Sequence, residues 1–167
     1  MASPNADHVK QTFKVFCKAY PDYSLAIQDG RVILAKSNPL DESQHWYKEE
    51  YGTRVKDVYG FPSFSLVNKA TGQAIKHAVG NSYPVQLKTN SANVLDESIL
   101  WTEGKDLGEG FRAIRMANND ELNVDASFIR EEKSGSGGTV HDLTSTIELW
   151  WWHGGDNQLW KIVPVGS

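Results

Sequence analysis

The segment Gly155-Asp156-Asn157-Gln158-Leu159-Trp160, close to the C-terminus, has two counterparts earlier in the chain. The counterparts are Asp41-Glu42-Ser43-Gln44-His45-Trp46 and Asp96-Glu97-Ser98-Ile99-Leu100-Trp101. The tryptophans that end the three segments are 55 and 59 residues apart, which indicates a structural unit repeated three times. We expect each copy to contribute this large ring to a shared core, because a buried tryptophan removes much apolar area from water.

Upstream of each tryptophan, apolar residues come in short runs with the two-residue alternation of a β-strand. Each copy shows a strand beginning at a phenylalanine, then a small triplet of mainly apolar residues, then a strand running to a leucine. The predicted first strands are Phe13–Cys17, Phe64–Asn68 and Phe111–Met116, the triplets are 25–27, 73–75 and 122–124, and the leucines are Leu34, Leu87 and Leu149. Helix is expected only as single turns near Asp41–Trp46 and Asp96–Trp101.

Three copies of about four strands predict an all-β fold, a β-trefoil closed around a threefold axis. We expect a single domain over residues 12–164, with repeats at about 12–62, 63–109 and 110–164. A short polar N-terminal tail over residues 1–11 precedes it. Closing the barrel removes most exposed sheet edges, so the repeat pattern and the strand pattern agree.

The charge and composition of the chain argue against several classes of binding partner. The chain has 167 residues and a formal net charge of −4, which gives no electrostatic attraction for nucleic acid, and no basic cluster favours a membrane surface. A single cysteine, Cys17, excludes an intramolecular disulfide and is expected to be a buried apolar residue. No signal peptide or spanning segment is found, so we expect the protein in the cytoplasm and nucleus, without membrane insertion.

The positions at which the copies differ point to a ligand, because residues needed only for folding are expected in all three. In the order of the three copies, the residue after the final leucine is Ala35, Lys88 and Trp150. The middle residue of the triplet is Ala26, Ala74 and Asn123. The residue two positions after that middle residue is Gln28, Lys76 and Asp125. The residues three and two before the core tryptophan are Ser43 and Gln44, Ser98 and Ile99, and Asn157 and Gln158. Only the third copy combines an aromatic ring, a carboxylate and an Asn-Gln pair.

This set of side chains suits a sugar. A pyranose has an apolar face that stacks on an indole and a rim of hydroxyls that bond to carboxylates and amides. The predicted carbohydrate-binding residues are Asn123, Asp125, Trp150, Asn157 and Gln158, with Trp152 and His153 at a possible border of the site. A monosaccharide alone is expected to bind weakly, near ~1 mM.

The three consecutive tryptophans after Leu149 have a predicted orientation. If Leu149 and Trp151 face the core, then Trp150 and Trp152 face outward. The alternative for Trp152 is a bulge that turns it into the core. The glycine-rich segment Ser134–Gly138 is expected to be a loop beside the site, and His141 and Asp142 to be polar loop residues.

The pattern Leu149-Trp150-x-x-x-Gly154-Gly155-x-Asn157-Gln158-x-Trp160 resembles the Gln-x-Trp sugar-binding subdomain of ricin-B-type lectins. A closer resemblance, over about residues 12–164, is to the Euonymus lectin family of plants. It rests on residues 23–27, 44–48, 64–77, 95–103, 111–116 and 155–158. The resemblance implies a β-trefoil, a nucleocytoplasmic plant lectin without catalysis, a galactoside or high-mannose ligand, and a link to stress responses.

The resemblance also assigns roles. In the ricin-type pattern the carboxylate that binds sugar hydroxyls occupies the middle of the triplet, which is Asn123 here. Asp125, two residues later on the same strand face, could take that role, so the main hydroxyl acceptor is either Asn123 or Asp125. The aromatic maps to Trp150 and the polar partner to Asn157, with Gln158 supporting. We therefore expect one site rather than three.

A second class of function stays open. β-Trefoils also act as inhibitors and scaffolds, so the chain could be a protein-interaction module without sugar binding. Its outward tryptophans would then anchor a protein interface. We expect no enzyme activity, cofactor or metal, since no nucleophile with its base and no metal motif is present. A homodimer is a further expected partner, because it would crosslink glycans.

Overall fold

The computed structural model describes residues 10–91, 94–131 and 143–166, which form twelve strands and three short 3-10 helices. The strands are β1 (Phe13–Cys17), β2 (Tyr23–Gln28), β3 (Arg31–Lys36), β4 (Trp46–Lys56), β5 (Pro62–Asn68), β6 (Gln73–Lys76), β7 (Gln86–Thr89), β8 (Trp101–Glu103), β9 (Ile114–Met116), β10 (Asn119–Glu131), β11 (Leu143–Trp151) and β12 (Trp160–Pro164). The 3-10 helices are η1 (Glu42–Gln44), η2 (Glu97–Ile99) and η3 (Asp156–Gln158).

Six strands form a closed antiparallel barrel. They pair in the order β12, β1, β4, β5, β8, β9. A bridge between Arg112, just before β9, and Trp160 of β12 completes the ring. The other six strands form three hairpins, β2–β3, β6–β7 and β10–β11, one for each sequence repeat. This arrangement confirms the predicted all-β fold, a β-trefoil.

The repeated tryptophans are core residues, as predicted. Trp46, Trp101 and Trp160 are 0%, 1% and 0% exposed. Each indole N–H donates to a backbone carbonyl of the hairpin in its own repeat. The acceptors are Leu25, Ile75 and Val124, at 2.9, 3.0 and 2.9 Å. The three bonds have the same geometry, so they identify Leu25, Ile75 and Val124 as equivalent positions.

This equivalence corrects the predicted alignment of the first repeat with the third. Ser24 and Ala26, rather than Ala26 and Gln28, correspond to Asn123 and Asp125. The register agrees, because Ser24 pairs with Ala35 just as Asn123 pairs with Trp150. The expected correspondence was wrong by two residues. A two-residue shift keeps every side chain on the same face of a strand, so alternation alone cannot detect it.

The two predicted helical turns are confirmed as η1 and η2, and η3 is a third. Asp41 and Asp96 cap the first two turns by accepting from the backbone N–H of Ser43 and Ser98, respectively. Gly155 precedes η3 and has no side chain that caps it. The residue equivalent to Ser43 and Ser98 therefore lacks a capping partner in the third repeat.

The third predicted first strand is shorter in the structure than expected. Phe111–Met116 is regular strand only over Ile114–Met116, because Phe111 belongs to the turn that precedes β9.

Cys17 is 0% exposed, and burial raises the pKa of its thiol to about 11. The prediction that Cys17 is an apolar core residue is confirmed, since a thiol with this pKa is protonated at neutral pH.

Candidate carbohydrate-binding site

The β10–β11 hairpin sorts its side chains by the two-residue period of its strands. Leu122, Val124 and Ala126 of β10 and Ile147 and Leu149 of β11 are buried in the hydrophobic core. The alternate residues lie on the other face, where Asn123 pairs with Trp150 and Asp125 pairs with Glu148. Four polar or aromatic side chains from distant parts of the sequence thus meet on one outer face.

Trp150 is partly exposed, and its indole N–H donates to Oε1 of Glu148 at 2.7 Å. The bond holds the ring beside the carboxylate. Sequence reasoning missed Glu148. The available signal was its position two residues before Trp150 on the same strand face, across the hairpin from Asp125.

Asp125 is 2% exposed and is surrounded by donors. Its Oδ1 accepts from Asn157 Nδ2 at 2.9 Å and from the Ser127 hydroxyl. Its Oδ2 accepts from Gln158 Nε2 at 2.9 Å and from His153 Nε2 at 3.1 Å. Burying a carboxylate is costly unless it is hydrogen-bonded, and these four bonds meet that requirement. The structure brings Asp125, Asn157, Gln158 and His153 into one cluster.

Asn157 reaches Asp125 because of the change at the third 3-10 turn. In the first two repeats the equivalent serine hydroxyls, of Ser43 and Ser98, donate to the capping aspartates at 2.7 and 2.6 Å. In the third repeat Gly155 replaces the aspartate, so the Asn157 amide donates to Asp125 instead. The loss of a local cap frees this side chain for the site.

His153 covers the cluster. Its Nδ1 accepts from the Gly155 N–H at 3.0 Å, which places the ring proton on Nε2, facing Asp125. Half of the His153 side chain is exposed, whereas Asp125 beneath it is not. A Cβ on Gly155 would lie 2.7 Å from the His153 ring and 2.9 Å from Asn157 Oδ1, so only glycine allows this close approach.

Gln158 is fully buried and supports the site from below. Its Oε1 accepts from the His153 backbone N–H, and its Nε2 donates to the Trp151 carbonyl as well as to Asp125. Gln44 makes the same two backbone bonds in the first repeat, to Asn38 and Lys36. The two bonds from the glutamine to the backbone therefore occur in both the first and the third repeat, whereas the bond to Asp125 belongs to the third repeat alone.

Asn123 lies apart from the Asp125 cluster. It is 1% exposed, and its Nδ2 donates to the carbonyls of Glu121 and Trp150, both at 3.3 Å. Within the described part of the chain, no hydrogen bond joins it to Asp125, Asn157 or Gln158. Asn123 instead lines a neighbouring cleft of about 460 Å³.

The orientation predicted for Trp151 is wrong. Trp151 and Trp152 are 52% and 47% exposed, so neither enters the core, and the alternative of a core-facing Trp152 is wrong too. Leu149 is buried, but β11 ends at Trp151, where no core layer covers the side chain. The expected outward orientation of Trp152 is confirmed.

Ser134–Gly138, His141 and Asp142 lie outside the described residues. Over residues 10–91, 94–131 and 143–166, no group of three or more His, Cys, Asp or Glu side chains is arranged to hold a metal ion. In those same ranges, no helix has the length and apolar character needed to cross a membrane.

Comparison with known proteins gives the family. The chain is 58% identical over 156 residues to the ricin B-like lectin EULS3 of Arabidopsis thaliana, covering 93% of this chain and 48% of that protein. It is 52% identical over 154 residues to the ricin B-like lectin R40G3 of Oryza sativa subsp. japonica, covering 92% of this chain and 73% of that protein. This chain belongs to the ricin B-like lectins of the Euonymus lectin family. It spans about half the length of the Arabidopsis relative, and no model of a protein family matches it.

Solved structures agree on the fold of this ricin B-like lectin. A ricin B-like lectin from Macrolepiota procera, solved in complex with lactose, has a TM-score of 0.64 at 17% identity over 93% of this chain and 96% of that one. A designed threefold symmetric protein, ThreeFoil, has the same TM-score at 16% identity over 91% and 97%. An exo-β-1,3-galactanase from Clostridium thermocellum has a TM-score of 0.68 at 20% identity, but the match covers only 31% of that chain.

Proposed function

We propose that this chain binds galactoside- or mannose-containing glycans through one site, on the outer face of the β10–β11 hairpin. The observation that carries the proposal is the partly exposed Trp150 ring held by Glu148 beside the Asp125 cluster. An indole supplies a stacking surface for the apolar face of a pyranose. The neighbouring carboxylates and the Asn157 amide supply acceptors and a donor for its hydroxyls.

The absence of this set from the other repeats supports a single site. At the positions equivalent to Trp150 stand Ala35 and Lys88, and at those equivalent to Asp125 stand Ala26 and Lys76. Neither earlier repeat has a ring or a carboxylate there. The fold therefore tolerates other residues at both positions, and the third repeat retains its set for another reason.

A sugar hydroxyl that bonds to Asp125 must replace one of the four donors already present. His153 is the donor that moves at least cost, because half of its side chain is exposed and it lies on top of the carboxylate. The buried Gln158 remains in place and continues to orient Asp125. We therefore assign binding to Asp125, Glu148, Trp150 and Asn157, with His153 as a displaceable cover.

We further propose that the domain acts by binding alone, without catalysis, in the cytoplasm and nucleus of a plant cell, with a role in stress responses. The named relatives are plant lectins, which supports the non-catalytic role. Binding of a single sugar is expected near ~1 mM, so longer glycans or several copies supply useful avidity. A homodimer would provide two sites.

A glycan array with the purified domain and with Trp150→Ala tests the proposal. The wild type is expected to bind galactosides or high-mannose glycans, and the variant to lose at least about 10-fold in affinity because the stacking surface is gone. Alanine is the natural residue at the equivalent position, Ala35, so the variant should fold. Circular dichroism and thermal melting check this.

The matched control is Lys88→Ala, at the equivalent position of the second repeat. It should leave glycan binding unchanged. An array that stays blank for the wild type at high protein concentration would remove the lectin proposal. It would favour the protein-interaction module, with the exposed Trp151 and Trp152 as interface anchors.

A further inference from the structure

A cleft of about 460 Å³ lies beside the proposed site. Its volume is in the range of small-ligand sites. The residues that form its walls and floor include Tyr59, Lys105, Arg115, Asn123, Trp151 and Trp152. Three of them are exposed aromatic residues, at 63%, 52% and 47% for Tyr59, Trp151 and Trp152.

Two residues that line this cleft, Asn123 and Arg115, each carry a buried polar atom without a partner. Asn123 Oδ1 and Arg115 Nε are both buried, and neither forms a hydrogen bond with any of the described residues. Asn123 and Arg115 pair across β10 and β9, so the residues that carry the unmet acceptor and the unmet donor are direct neighbours in the sheet. A polar group that is buried without a partner destabilises the folded state, so the fold alone does not favour this pair.

The second repeat has apolar residues at the two equivalent positions. There the equivalent pair is Val67 and Ala74, which also face each other across two strands. Both are buried, at 6% and 0% exposure, and both are apolar. The barrel therefore packs well with an apolar pair at this place. The polar pair of the third repeat is a departure that packing does not require.

The surroundings hold Arg115 in position. Its guanidinium carbon lies 5.4 Å from the centroid of the Tyr59 ring. A Cβ on Gly104 would collide with Arg115 Nη2, so the absence of a side chain there makes room for the guanidinium. Asp120, which also lines the cleft, raises the pKa of Tyr59 through hydrogen bonding and through its negative charge.

Charge and bonding capacity indicate the occupant. The charged residues that line the cleft balance, two positive against two negative, which favours a neutral ligand. They are Lys105, Arg115, Asp120 and Glu121. A hydroxyl both donates and accepts, so it matches an unmet acceptor beside an unmet donor. Both atoms are covered in the free protein, so a sugar hydroxyl reaches them only after the side chains over them shift. Aromatic walls suit the C–H faces of a sugar ring.

We propose that this cleft is a second saccharide subsite, which takes the next sugar of a neutral oligosaccharide whose first sugar lies on Trp150. The inference rests on the proposed function. Asn123 and Asp125 are two residues apart on one strand face, about 7 Å, so one glycan reaches both. Gln158 links the two places, since it bonds to Asp125 and to the carbonyl of Trp151.

Isothermal titration with galactose and lactose, and with mannose and mannotriose, tests the subsite. For the sugar class that binds, the wild type should bind the oligosaccharide about 10-fold more tightly than the monosaccharide. Arg115→Met and Tyr59→Ala should lose this advantage and keep the monosaccharide affinity. Arg31→Met, on the exposed end of the first-repeat hairpin, is the matched control and should keep both.

The double variant Arg115→Val with Asn123→Ala installs the pair of the second repeat. It should be at least as stable to urea as the wild type and should lose the oligosaccharide advantage. An advantage that persists in Arg115→Met and in the double variant overturns the subsite but leaves the lectin proposal standing. A wild type that binds none of the four sugars overturns both. Tighter binding of sialyllactose than of lactose, lost in Arg115→Met, overturns the neutral ligand in favour of an anionic one.

Discussion

His77 is a buried residue of the second repeat whose protonation opposes folding. Its ring is 7% exposed, donates from Nε2 to the Leu100 carbonyl at 2.6 Å, and packs edge-on against Trp101 with ring centroids 4.7 Å apart. Burial is the main cause that lowers the pKa of His77 below 6.5, although the Leu100 bond and the nearby Asp96 and Glu97 act in the opposite direction. The neutral ring is therefore the form that the fold prefers.

The lowered pKa predicts a loss of stability in acid. The unfolded chain binds a proton at His77 more readily than the native one, so the contribution of the neutral ring is present above pH 6.5 and is lost as the pH falls through the native pKa. Urea denaturation at about pH 7.5 and about pH 5 should show a lower free energy of unfolding in acid. The pKa of Asp96, held at about 2 mainly by Lys88, lies below this window.

His77→Gln provides the control for this effect. Glutamine can still donate to the Leu100 carbonyl but does not titrate. The difference in stability between the two pH values should shrink in this variant. An equal difference in both proteins would assign the acid sensitivity to other groups.

At the level of elements, the turn that follows each hairpin decides whether the repeat carries a site. The first two turns use an aspartate cap, which occupies the serine hydroxyls of Ser43 and Ser98. The third turn has Gly155 in that place, and Asn157 and His153 converge on Asp125 instead. One change of cap thus converts a purely structural turn into part of a polar cluster.

The buried glutamines separate the structural role of this turn from its binding role. Gln158→Ala removes bonds to Asp125, Trp151 and His153, and Gln44→Ala removes the equivalent backbone bonds of the first repeat. Each change should lower the free energy of unfolding by about 2–3 kcal/mol, because backbone groups lose buried partners. The melting temperature should then fall by about 4–12 °C, as measured by calorimetry.

Only Gln158→Ala should also weaken glycan binding, because only Gln158 orients Asp125. Titration below the melting range of both variants distinguishes the two effects. If Gln44→Ala weakened binding as much as Gln158→Ala, loss of global stability rather than loss of Asp125 positioning would explain the result.

At the scale of the whole molecule, we expect the threefold core to distribute stability evenly among the repeats. The three core indoles donate over 2.9, 3.0 and 2.9 Å to equivalent carbonyls, and all are at most 1% exposed. Phenylalanine at any of these positions removes the donor and leaves a void beneath the hairpin. Each variant should therefore lose about 2–4 kcal/mol of unfolding free energy, and the three values should agree within about 1 kcal/mol.

Urea denaturation of Trp46→Phe, Trp101→Phe and Trp160→Phe measures these values. Trp150→Phe is the comparison, and it should cost less than about 1 kcal/mol because its ring is partly exposed and packs outside the core. Widely different costs among the three core variants would show that the repeats contribute unequally despite their common geometry.

Much of the fold follows from local patterns in the chain. The recurrence of Trp46, Trp101 and Trp160, each after an alternating strand, was enough to predict the β-trefoil, its core rings and two of its helical turns. These features depend on short-range periodicity and on burial of large apolar rings, both of which are visible in a linear sequence. The outer position of Asp125 and Trp150 on their strands also follows from alternation.

Only the tertiary structure decided which residues share a surface. Register across β10 and β11 brought Glu148 opposite Asp125, and register across β9 and β10 set Arg115 beside Asn123. Register across β2 and β3 made Ala26, rather than Gln28, the counterpart of Asp125. Trp151 is exposed because β11 ends there. The physical reason is that alternation specifies a face but not a partner. Pairing depends on long-range hydrogen bonds and on where the core layer stops.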